Sequence, residues 1–303
     1  ASDSSSVTFN GMADEAAANK QENGFGAANP FAATLAMLSP EEQAALSDLP
    51  TVLAHMGARS LRDVLADRFA VTYAEGCKII GNDTAGFDAA VEAAREADVI
   101  VAAMGGNCGW VHVTGGEGKD RSSLDLPGVQ QQLLEALCAT GKPVVLVLYG
   151  PGVFALPWAA EHTAAMVQAF MPGAEAGRVV ADVLDGTVNP GGHLTFTIPH
   201  HIGQIPLVYN HRMGSGYNTA RDASANMIFS GGYVDNTDRP LFPFGHGLSY
   251  TTFEVEDFAL SADTLPTDGS IQARCHITNT GSRPGDQVLQ LYYHFSGAHV
   301  IRP

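Results

Sequence analysis

The spacing of apolar positions changes class along this chain. Over residues 51–68, TVLAHMGARSLRDVLADR, apolar side chains recur at helical intervals, and the next stretch, FAVTYAEG (69–76), shortens to a strand-like run. DTAGFDAAVEAAREAD (83–98) predicts an alanine-rich helix that hands over to the strand VIVAAMGG (99–106), with Asp98 read as a turn residue between them. GVQQQLLEALCATG (128–141) predicts a helix ended by Gly141, and KPVVLVLYG (142–150) is apolar throughout, as in a strand buried on both faces. Residues 156–192 predict one more strand between helices. This alternation argues for an α/β fold, a mostly parallel sheet covered by helices.

The period changes near residue 251. TTFEVEDFALSAD (251–263), GSIQARCHITNTG (269–281) and DQVLQLYYHF (286–295) alternate apolar with polar residues and are separated by Gly, Asp, Ser and Pro turns. They predict three strands of an antiparallel sandwich, a module that needs roughly seven. At the other end, SPEEQAAL (39–46) predicts a helix start, with Ser39 as N-cap and Pro40 at the first helical position. The Ala-, Ser-, Asn- and Gly-rich residues before it read as a long surface loop.

Composition narrows the function classes. With 303 residues and 45% hydrophobic composition, the chain can form one large domain or two of ordinary size. Its 32 acidic against 16 basic side chains, a formal charge of -16, repel nucleic acid and anionic membrane surfaces. No nucleic-acid or membrane partner is expected, and a neutral small molecule is the better ligand. No apolar run reaches the roughly 18 to 20 residues of a bilayer span, so a soluble chain is expected. Cys77, Cys108, Cys138 and Cys275 lie far apart with no zinc-like spacing, and neither a metal nor a cofactor is expected. No export signal is expected at Ala1 itself, one further upstream stays open, and so do cytoplasmic, periplasmic and secreted locations.

One loop carries chemistry. In GGEGKDRSSLDLPG (115–128) a carboxylate, Glu117, stands between glycines ahead of Lys119, Asp120 and Arg121. By spacing alone it reads as a solvated loop carboxylate. The loop, however, belongs to an ordered series: ADVIVAAMGG (97–106), the run from Gly116 to Gly150, the run from Met171 to His211, PLFPFGHGLSYTTF (240–253) and HITNTGSRPGDQVLQLYY (276–293). Together these closely resemble successive motifs of glycoside hydrolase family 3, the β-glucosidase family, over about residues 71–303.

The resemblance implies an α/β sandwich domain over 1–211, a linker over 212–252 and a partial fibronectin-III-like domain over 253–303. The family's α/β barrel, which supplies an Asp nucleophile, has no counterpart here and becomes an expected partner. ASDSSS looks like the loop after the family's first strand without that strand, so the chain is expected to be a piece of a longer enzyme. Unpaired strand edges would invite association and leave a homo-oligomer open. The implied substrate is a β-linked oligosaccharide or glycoside, cleaved with retention, and Glu117 is the implied acid/base.

Trp110, in GNCGWVHV, is a candidate sugar-stacking residue or a buried loop anchor. Lys119, Asp120 and Arg121 are expected to support the loop. Lys119 and Arg121 could pair with Asp120 or Asp125, or tune the acid; a structural role is favoured for Arg121, because a close cation would lower the pKa of a group that must donate a proton. His112, His193, His200, His201 and His211 read as loop or surface histidines, and Glu175 in PGAEAG as a second loop carboxylate. Two other readings are a non-catalytic carbohydrate-binding or partner-docking module, and a flavodoxin-like binder with its ligand at the sheet's switch point.

Overall fold

The computed structural model describes residues 6–10, 39, 57–108, 113–116, 118–210, 233, 235–265 and 268–293. The chain divides into two compact units, Ala1–Ala181 with His200–Gly203, and Asp182–Pro199 with Gln204–Pro303. Residues 182–199 and 204–210 therefore fall in the second unit, although their pattern continues the first.

The first unit is built on five parallel strands: β1 (Ser6–Asn10), β2 (Ala70–Tyr73), β3 (Val99–Gly105), β4 (Val144–Tyr149) and β5 (Ala165–Phe170). Their order is β2-β1-β3-β4-β5. β1 corrects the reading of the chain's start as loop. Val7 stands in register with both Val71 and Val99, so Ser6–Asn10 fills an interior position of the sheet, and the expectation of a sheet without its first strand does not hold. Five residues flanked by Ser and Asn carry too short a pattern to separate from loop by period.

Helices connect the strands: α1 (Leu61–Ala66), α2 (Phe87–Glu96), α3 (Gln130–Cys138), α4 (Pro157–His162) and α5 (Ala176–Leu184). α1 is shorter than the period over 51–68 suggests. Ser60 caps it, accepting the Asp63 N–H at 3.1 Å, and residues 51–56 lie outside the described residues. The helix expected at Ser39–Pro40 also lies outside them, apart from Ser39 itself.

The core forms where α3 meets the sheet. Leu133, Leu134 and Leu137 pack with Ile100, Ala102 and Met104 of β3, Val144, Leu146 and Leu148 of β4, and Ala90 and Ala94 of α2. Val101 and Val147 are buried on the opposite face, so β3 and β4 are covered on both sides.

In the second unit β6 (Phe253–Leu260) pairs antiparallel with β7 (Ala273–Asn279), Val255 opposite Ile277, and the register shifts between Glu256 and Ala259. This pair fits a partial β sandwich. The third expected strand does not form: residues 286–293 are described without strand pairing, and Leu291 and Tyr293 are exposed. Alternation predicts which face a strand would bury, but only a neighbouring strand makes its ladder.

Candidate active site

Where strand order reverses, the loops at the carboxyl ends of a parallel sheet splay apart. In this sheet the reversal falls between β1 and β3, and β3 feeds the loop 106–129 that carries the expected site. Gly105 ends β3 at φ 132°, and a Cβ there would lie 1.9 Å from the Tyr149 carbonyl oxygen, so only glycine fits. The Gly106 N–H then donates to that carbonyl at 2.9 Å, and the Gly150 N–H donates to Phe170 O at 2.9 Å. These two bonds tie together the ends of β3, β4 and β5.

The loop closes on itself. The Thr114 N–H donates to Asn107 O at 2.8 Å, and the Asn107 N–H donates to Thr114 Oγ1 at 2.9 Å. A tight turn follows, in which the Lys119 N–H donates to Gly116 O at 3.0 Å. Gly116 and Gly118 both have positive φ, 127° and 65°, which the turn requires. Cys108 lies beneath Gly116 and sets its Sγ 3.1 Å from Met171 Sδ beyond β5.

The returning limb is anchored. Arg121 donates from Nη2 to the Val153 carbonyl, and its guanidinium lies over the Phe154 ring, 4.5 Å from the centroid. The Ala155 N–H donates to Leu124 O at 2.9 Å, and Leu126 enters the core. No ion pair joins Arg121 to Asp120 or Asp125 among the described residues; Asp125 acts on it through space, opposing the burial that lowers its pKa from the ordinary value. Lys119 and Asp120 are exposed. Glu117, Trp110, His112 and His211 lie outside the described residues.

Comparison with known proteins identifies the family of this domain. The family model for the glycosyl hydrolase family 3 C-terminal domain matches residues 8–250. The chain belongs to glycosyl hydrolase family 3. A periplasmic β-glucosidase of Salmonella typhimurium is 38% identical over 263 residues, covering 86% of this chain and 33% of the relative. A β-xylosidase of Formosa agariphila is 38% identical over 245 residues, covering 80% of this chain and 32% of the relative. Among solved structures, a Listeria innocua β-glucosidase in complex with glucose superposes with a TM-score of 0.65 at 30% identity, over 74% of this chain and 30% of its own. The chain thus spans about a third of the length of these family 3 relatives.

Family membership does not explain which residues hold the loop, and three of those were not singled out in the sequence. Val153 and Phe154 sit in an apolar run with no mark of their own. Gln130 is different. It shares the spacing i, i+3, i+4, i+7 with Leu133, Leu134 and Leu137, so a polar side chain stands on the buried face of α3, at 3% exposure.

The remaining candidates lie apart from the loop. Glu175 ends a short 3-10 turn and pairs with Arg178 at 2.8 Å. The His201 ring accepts the Gly203 N–H at 3.1 Å, and His193 Nδ1 donates to Gly191 O at 3.0 Å. Burial, then His201, lowers the pKa of His200, with Glu161 opposing. A cavity of about 410 Å³ lies beside β2 and the start of α2, lined by Tyr73, Glu75, Lys78 and Asp83 rather than by the β3 loop. Among the described residues no three or more His, Cys, Asp or Glu gather as a metal site, and no helix is long and apolar enough to cross a membrane.

Proposed function

We propose that this chain forms the part of a retaining, exo-acting β-glycosidase of β-glucosidase type that supplies the acid/base carboxylate, Glu117, to a nucleophile on an α/β barrel outside these residues. The observation that carries the reading is the turn closed by Gly116 and Lys119, on a loop held at the carboxyl end of β3 at the switch point of a family 3 domain. Retention needs two carboxyl groups about 5 to 5.5 Å apart, one to attack the anomeric carbon and one to protonate the departing oxygen and then deprotonate water. A proton donor needs a raised pKa, and Arg121, engaged by the Val153 carbonyl and the Phe154 ring, supports the loop as a strut instead of neutralising an acid. The names of the relatives favour a terminal glucosyl or xylosyl unit as the glycone, the sugar attacked at its anomeric carbon and passed to water.

The test is Glu117→Ala in the complete enzyme that carries this chain. Activity on alkyl glycosides is expected to fall most, because an acidic aryl leaving group departs without a proton. Azide, which needs no general base, is expected to restore turnover and yield a β-glycosyl azide. Glu175→Ala, which removes a carboxylate already paired with Arg178, is expected to show no rescue. The 303-residue chain alone is expected to turn over no aryl β-glucoside, since it would hold one carboxylate of the pair. Full activity of Glu117→Ala on an unactivated disaccharide would overturn the reading and favour a non-catalytic module.

A further inference from the structure

The loop 106–129 leaves the sheet at Gly105, the last residue of β3, and returns at Gln130, the first residue of α3. The Gln130 side chain joins the two feet directly. Its Oε1 accepts the Gly105 N–H at 2.8 Å, and its Nε2 donates to Gly105 O at 2.8 Å. The same Nε2 donates its second hydrogen to Ile79 O at 2.9 Å, in the segment between β2 and α2. One amide therefore satisfies a strand end from both sides and a third piece of backbone, at 3% exposure.

A buried amide leaves no polar atom unpaired only if every partner keeps its position, so this arrangement selects one geometry for the loop's base. Leucine or methionine would fill the same volume in line with Leu133 and Leu134, yet would leave the Gly105 N–H and two carbonyls without this partner. Packing alone does not call for glutamine here.

We infer that Gln130 is a positioning residue: by clamping Gly105 to α3 and to Ile79 it fixes the stem of the loop on which Glu117 is carried, and so sets where the acid stands relative to the glycosidic oxygen. This rests on the acid/base reading of Glu117. Misplacing a catalytic group by about 1 Å can cost about 100-fold in rate.

The experiment compares kcat/KM for an alkyl and an activated aryl β-glycoside in the complete enzyme, for Gln130→Glu, Gln130→Met and Glu117→Ala. Because kcat/KM reports cleavage of the glycosidic bond, the alkyl-to-aryl ratio measures proton donation and is independent of how much of a preparation is folded. Both Gln130 variants are expected to lower this ratio about 10- to 100-fold at neutral pH. In Gln130→Glu the introduced carboxyl can accept from Gly105 but not donate to either carbonyl. Acidification protonates it, restores one donor, and is expected to bring the ratio part-way back, whereas Gln130→Met shows no such recovery.

An unchanged ratio in both Gln130 variants, beside a lowered one in Glu117→Ala, overturns the positioning role and leaves the acid/base reading intact. An unchanged ratio in Glu117→Ala overturns the acid/base reading and this proposal with it. Failure of both Gln130 variants to fold also overturns the proposal, and assigns the amide to the core alone.

Discussion

Two sets of strands in this chain use the same kinds of residue and meet opposite fates. In β4, Val144, Leu146, Val147 and Leu148 are each no more than 3% exposed, whereas in β6 and β7 Val255 is 50%, Phe258 61% and Ile277 41% exposed. β4 lies inside a five-stranded parallel sheet and is covered on both faces, while among the described residues β6 and β7 form a sheet of two. Apolar character prepares a strand for burial, but the layers around it decide whether burial happens. A two-stranded sheet has too few neighbours to stand by itself.

Large-to-small substitution gives the widest separation between the two regions. Leu133→Ala is expected to destabilise the first unit by about 2–5 kcal/mol, because Leu133 is fully enclosed and the site cannot collapse around the cavity. Phe258→Ala is expected to shift stability by no more than about 0.5 kcal/mol, removing a ring already in solvent. Urea unfolding followed by far-ultraviolet circular dichroism, which reports on backbone structure in both units, measures both, and the fluorescence of Trp158 follows the first unit separately. Equal shifts would break the contrast and mean that β6 is covered in solution.

A smaller effect comes from the backbone. Gly105→Ala is expected to cost about 1–3 kcal/mol from its positive φ alone, with the Tyr149 carbonyl 1.9 Å from the new Cβ adding to that. Gly192, in the second unit, has nothing within 4 Å of an added Cβ, and its alanine variant is expected to stay within about 0.5 kcal/mol of the parent. The same unfolding measurement separates the two. A neutral Gly105→Ala would show that the ends of β3 and β4 can move apart.

The smallest expected effect depends on pH. His246, in the second unit, is held below its ordinary pKa by burial and then by His193, and His200, in the first, by burial and then by His201. Above the unfolded value of about 6.5 each ring is neutral in both states and contributes nothing. As pH falls through that value the unfolded chain takes up protons that the folded chain resists, so stability declines until the folded rings titrate at lower pH. Urea midpoints between pH 7.5 and 5 should therefore fall for the parent and fall less for His246→Asn and His200→Asn. An identical acid slope in both variants would show that these rings titrate alike in both states.

Much of this was legible because each strand and helix of the first unit from β2 onward carries its own period. The run 142–150 announced a doubly buried strand, and Val144–Tyr149 is one. The ordered motifs also identified the family, through residues whose type is required locally, such as the glycines around position 117. By contrast, β1 and the unformed strand at 286–293 depended on neighbours far away in the chain, and no local period could decide either.

The candidate site divides in the same way. Sequence alone established the carboxylate between glycines and the cation four residues after it, but gave Gln130 no role. The partners of Arg121 and Gln130 came from packing across the fold. Arg121 turned out to face the Val153 carbonyl and Phe154 instead of Asp120 or Asp125, because the carbonyl and the ring face offset the cost of its burial, whereas a pair with an exposed carboxylate contributes little. Gln130 found its partners at Gly105, the end of β3, and at Ile79, in the segment between β2 and α2, because a buried amide must take whichever backbone groups the packed core brings within reach.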